Sequence, residues 1–118
     1  MNKQEVIDKL LEYQTAYEEA MHSMCQFAVA VPTAKWSLEA TKAFSIARGA
    51  EAGALDGKNA EERAQKLALW LENDADVHRA TSELLDMECG VEIQKTEAEI
   101  ARMGVRVLEA IAKLLVEG

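Results

Sequence analysis

Glu19 and His22 stand three residues apart, the interval at which two side chains on one helix reach a shared metal ion in di-iron four-helix proteins. A centre of that kind needs two such pairs and two further glutamates. The only other histidine, His78, has no glutamate three residues before it, so the pair reads as helix surface and no metal is implied. Cys25 follows His22 at the same interval, and a thiol beside an imidazole is the start of a nucleophile pair. With no third group to orient the imidazole, Cys25 reads instead as a small apolar packing residue. Gly57-Lys58 lacks the preceding strand and the glycine spacing of a phosphate loop and reads as a turn. Trp36 and Trp70 could anchor a partner, but in a chain this poor in rings core and cap packing is the preferred role for both. The sequence therefore reads as non-enzymatic, with no catalytic residue and no cofactor.

The elements that carry these residues are dominated by one repeat of seven. Val77, Leu84, Val91, Ala98, Val105 and Ala112 form one series, and Ala80, Met87, Gln94, Ala101, Leu108 and Leu115 interleave with it. Apolar residues at alternating steps of three and four are the seam of a long helix that packs along another helix. From Ile93 onward a second set lies off that seam: Ile93, Ile100, Val107 and Leu114, accompanied by Thr96, Met103 and Ala110. The polar strip left between the two sets is narrow, made of Glu92, Lys95, Glu99, Arg102, Arg106, Glu109 and Lys113. One neighbouring helix cannot cover so wide an apolar arc. Ile93, Ile100, Met103, Val107 and Leu114 are accordingly the candidate self-association residues.

A first helix is expected from about residue 3, where Asn2 and Glu5 have the spacing of a capping box. Its seam runs Val6, Leu10, Tyr13, Tyr17, Ala20, Met24, Phe27 and Val31, flanked by Ile7, Leu11, Met21, Cys25 and Ala28. Pro32 interrupts the pattern, and the expectation is a helix over 3–31 continuing, kinked, as a second segment over 33–54. In that segment Trp36, Ala40, Ala43, Ala47, Ala50 and Ala54 form the row expected to pack. The clearest turn follows at Leu55–Asn59, with Asp56-Gly57 read as the site of a positive φ and Asn59 with Glu62 as a second capping box. A short helix over 60–72 and the long one over 74–116 complete the chain.

With 118 residues, one proline, six glycines and an aromatic content of 5%, the chain reads as a single all-α domain. The expected fold is an antiparallel hairpin of long helices with a short capping helix. Its alanine-rich seams bury little area per residue, so a helical bundle completed by oligomerisation, with a dimer favoured, is part of the expectation. A net charge of −8 argues against direct binding to nucleic acid or to an anionic membrane. The longest apolar run, Phe27–Val31, is far too short to cross a bilayer, and a charged start with no signal peptide points to the cytoplasm.

The octapeptide Asp56-Gly57-Lys58-Asn59-Ala60-Glu61-Glu62-Arg63 resembles the turn of a family of small, uncharacterised helical proteins encoded by bacteriophages and prophages. In that family a similar turn joins a long helix rich in alanine and glutamate to a short helix, and then to a long heptad helix. The resemblance covers the order of elements from about Lys35 to Leu115, and the chain departs from it in Pro32 and in the richer apolar set of its first helix. It implies a phage origin and a small accessory role in the host cytoplasm, and it brings no catalytic or binding residue with it.

Together these readings give a helical protein that associates with itself and binds a protein partner. A first alternative is an acidic inhibitor that acts as a decoy for a host defence or nucleic-acid enzyme, a host protein then being the partner. A second is a binder of a small ligand or nucleotide signal at a subunit interface.

Overall fold

A computed structural model of the chain describes residues 1–117. It contains α1 (Lys3–Glu51), α2 (Ala60–Glu72) and α3 (Ala75–Glu117), with no strand among the described residues. The protein is all-α, two long helices packing on each other with a short one between them in the chain. Its contacts group into two units, Met1–Ala28 with Cys89–Gly118, and Val29–Glu88.

Pro32 sits inside α1 without ending it, so the chain runs through the proline as one helix. The seam explains why. The alternation of four and three that starts at Val6 continues past Val31 through Ala34, Leu38, Thr41 and Ser45, and all of these except Tyr17 are buried or half-buried. One continuous packing face holds both sides of the proline in a single helix. Pro32 removes the donor that would satisfy the Ala28 carbonyl, but both residues lie on the exposed side, where water can replace the lost bond. Most of the expected alanine row is not the packing face: Trp36, Ala43, Ala47 and Ala50 are exposed, and only Ala40 and Ala54 are half-buried.

α1 ends three residues earlier than the expected 54, and it ends on a glycine. Gly53 has φ 72°, donates to the Ala50 carbonyl at 3.1 Å, and is followed by Ala54 donating to the Gly49 carbonyl at 3.0 Å. This pair of bonds is the Schellman arrangement, in which a left-handed residue just past the helix satisfies the last free carbonyls. Among the described residues Gly53 is the only glycine with positive φ, so the expectation of such a conformation at Gly57 is corrected. Gly57 is constrained by proximity instead: a Cβ there would stand 2.9 Å from the Arg63 backbone nitrogen and 3.0 Å from Arg63 Cγ.

The turn then closes on the start of α2. Asn59 Oδ1 accepts from the Glu62 N–H at 2.8 Å, while the Glu62 carboxylate accepts from the Lys58 N–H at 3.2 Å, one residue before its usual place in a capping box. The Arg63 guanidinium donates to the Gly57 carbonyl at 3.2 Å, and Lys66 donates to the Asp56 carbonyl. Asp56, Gly57, Asn59 and Glu62 thus shape the chain between α1 and α2.

In the unit of Met1–Ala28 and Cys89–Gly118, two glycines of α3 lie under aromatic rings of α1. A Cβ on Gly90 would stand 2.7 Å from Phe27 Cδ1, and one on Gly104 would stand 2.8 Å from Tyr13 Cε1. The rings are fourteen residues apart on α1 and the glycines fourteen apart on α3, in reversed order, so the helices run antiparallel and share two heptads of register. Around them Val6, Ala20, Ala98, Ala101 and Leu108 are buried. Small residues on α3 leave room for the rings of α1, and this large-on-small matching sets how closely the two backbones approach.

Candidate functional site

Every member of the two seam series on α3, from Val77 to Leu115, is buried or half-buried. The second set therefore has to point elsewhere. Ile93 follows the seam residue Val91 by two positions, a rotation of about 200° around a helix with 3.6 residues per turn. Ile93, Ile100, Met103, Val107 and Leu114 are each between 57% and 68% exposed, and they form one stripe off the inner seam, with Ile100 also at the lip of a groove shared with α1. An apolar stripe that repeats in sevens on the outside of a helix already packed on its other face can do one thing chemically: bury itself against another surface.

Glu92, Glu99, Arg106 and Lys113 border this stripe along one edge, one heptad apart. All four are exposed, and among the described residues none of them takes part in an ion pair.

An open groove of about 480 Å³ lies beside Ile100 in the same unit, lined on α1 by Tyr13 and Glu19 and on α3 by Gln94 and Glu97. It presents two carboxylates and neither Lys nor Arg, the wrong polarity for a phosphate or a nucleotide. The side chains that could do chemistry do not converge. His22 is exposed, and its Nε2 lies 3.2 Å from Gln26 Nε2. Cys25 and Cys89 are both exposed free thiols, so Cys25 is not the packing residue expected. Among the described residues no group of three or more His, Cys, Asp or Glu could hold a metal ion. No helix among them is long and apolar enough to cross a membrane.

The unit Val29–Glu88 contains a polar cluster that the sequence reading missed. Ser45, a seam residue of α1 with no exposure, donates its hydroxyl to Asp74 Oδ2, and Arg48 donates to the same oxygen at 3.0 Å. The other carboxylate oxygen caps α3, accepting from the Asp76 N–H at 2.9 Å and the Val77 N–H at 3.3 Å. The Trp70 indole donates to the Ser45 carbonyl at 2.8 Å, and its ring lies so close that a Cβ on Gly49 would meet it at 2.9 Å. Trp70 therefore ties α2 to the end of α1, whereas Trp36 stands 73% exposed and packs nothing. The signal in the sequence is the unbroken seam, which puts Ser45 on the inner face.

The Ser45 hydroxyl, helped by the Val77 and Asp76 amides and by Arg48 and opposed by burial, holds the Asp74 carboxyl below its ordinary value of 3.8. A carboxylate with a depressed value in the folded state contributes stability that is fully present above the unfolded value. That stability is lost as pH falls through the folded one. The melting temperature of the wild type should exceed that of Asp74→Asn at neutral pH, and the gap should narrow below about pH 4. Melts followed by circular dichroism down to about pH 2 read this directly, and a gap independent of pH would separate Asp74 from acid sensitivity.

No family model, curated protein or solved structure matches the chain.

Proposed function

We propose that the protein is a non-enzymatic helical module that associates with itself through the outward stripe of α3, and acts by binding protein rather than by chemistry. The observation that carries this reading is the exposure of Ile93, Ile100, Met103, Val107 and Leu114 on a helix whose opposite face is already packed. Alanine and glycine on the buried seam give the single chain a thin core, and a second copy would add the area that core lacks. The acidic balance of −8 disfavours nucleic acid and anionic lipid as partners. The turn that resembles phage proteins would set this assembly in a host cytoplasm.

Size-exclusion chromatography with light scattering on the full chain tests the proposal. The expected result at micromolar concentration is a particle of twice the 13.0 kDa chain mass. A monodisperse particle of one chain mass would refute self-association.

A further inference from the structure

The stripe also carries information about how a second copy would lie on it. Ile93, Ile100 and Val107 alternate with Thr96, Met103 and Ala110 in steps of three and four, so the outer face of α3 has a second seam of the same geometry as the inner one. We propose that two copies pair antiparallel along this seam, with the two-fold axis between Ile100 and Met103. The inference rests on the self-association proposed above and adds its orientation and register.

Two features select this arrangement. The first is size. With Ile100 against the partner's Met103, the same register sets Val107 against the partner's Thr96, which is nearly its isostere, and Ile93 against the partner's Ala110, the smallest side chain of the seam. The second is charge. Along the bordering edge the order is Glu92, Glu99, Arg106, Lys113, two acids followed by two bases. In an antiparallel pair equivalent edges face each other, which brings Glu99 to the partner's Arg106 and Glu92 to the partner's Lys113, each pair occurring twice by symmetry. Among the described residues none of these four side chains is engaged in an ion pair, so each is free to meet a partner's charge.

A parallel pair does the opposite, since the facing edges are then the two different ones, and Glu92 would meet the partner's Glu97. On the opposite edge of the antiparallel pair Glu97 falls against the partner's Gly104, so no like charges are opposed there. The seam from Glu92 to Leu114 is about 33 Å long at 1.5 Å per residue. Three heptads hold an isolated peptide pair weakly, because both helices must form on association. Here α3 is already folded against α1, so that ordering cost does not recur.

Charge reversal on the full chain tests the pairing. Glu99→Arg alone sets an arginine against the partner's Arg106 at both symmetric positions, and Arg106→Glu alone sets a glutamate against the partner's Glu99. Each variant should raise the dimer dissociation constant about tenfold at low salt, because favourable pairs become repulsive ones at two symmetric positions. The double variant Glu99→Arg/Arg106→Glu should return to the wild-type value. The two single variants, mixed, should form heterodimers in preference to either homodimer. Residues 99 and 106 are two helical turns apart in one chain, so rescue by combination reports contact between chains. Circular dichroism of each variant should match the wild type, since both positions are exposed. A dimeric wild type whose single variants bind unchanged, or whose mixture shows no heterodimer, overturns the antiparallel register and leaves self-association standing. A monomeric wild type overturns both.

Discussion

Gly90→Val lowers the stability of the protein by about 2 kcal/mol, and in a Phe27→Ala background the same substitution raises it. By helix propensity alone valine should improve on glycine inside α3 by a few tenths of a kcal/mol. Sterics reverse the sign, because the first carbon added to Gly90 falls 2.7 Å from Phe27 Cδ1 and Cε1 and 2.8 Å from Cγ. These atoms belong to a planar ring, half-buried between the helices, that cannot swing aside as a flexible chain end would. Without the ring, the valine occupies the space left empty and the propensity term is felt. Urea melts of the four proteins at one fixed concentration measure the cycle. Simple additivity of the two substitutions would show that ring and glycine are not coupled, and with that the register shared by Phe27–Gly90 and Tyr13–Gly104 would lose its cause.

The inner seam of α3 was readable because its positions are filled almost entirely by apolar residues, and hydrophobic periodicity reports burial most directly in such a helix. α1 was harder. Its seam is equally regular, yet Thr41 and Ser45 occupy seam positions in the second half, where Pro32 and a more conspicuous alanine row suggest a different face. A polar residue belongs on a buried face when it has a partner there, and the partner of Ser45 is Asp74, twenty-nine residues away in the chain. No local pattern contains that contact. Gly53 is the weaker signal for a related reason: Asp56-Gly57 is the stronger turn signature, while the end of α1 is fixed by bonds from Gly53 and Ala54 back to Ala50 and Gly49.

Gly90 and Gly104 were silent, since a glycine in a helix reads only as a weakening until the ring above it is known. The outward stripe, by contrast, could be counted directly. Once the inner seam is assigned, every apolar residue two positions beyond it must lie on the far side of the helix, and the exposure of Ile93, Ile100, Val107 and Leu114 follows from that geometry. The order of charge along its edge was equally visible as a string. It becomes informative once those four side chains are seen to make no ion pair among the described residues.

Ile100→Glu separates the copies while leaving each one folded. In the single chain Ile100 is 60% exposed at a mid-helix position, where glutamate is as good a helix former as isoleucine or better, so the monomer changes by no more than about 0.5 kcal/mol. In a dimer built on the stripe the same side chain is at its centre, against the partner's Met103, while the partner's Arg106 is engaged by Glu99. An unpaired carboxylate buried there weakens association by about 3–5 kcal/mol, more than a hundredfold in Kd. Val29→Glu is the matched control, a similar change at a residue of α1 that is 76% exposed and not a member of the stripe, and it should leave the Kd unaltered. Light scattering beside circular dichroism reads both quantities on one sample. Helical monomers for Ile100→Glu with helical dimers for Val29→Glu are the expected pair of results. Loss of helicity in Ile100→Glu would place the residue in the core of the single chain. An intact dimer would mean that the stripe faces water and that the copies meet somewhere else.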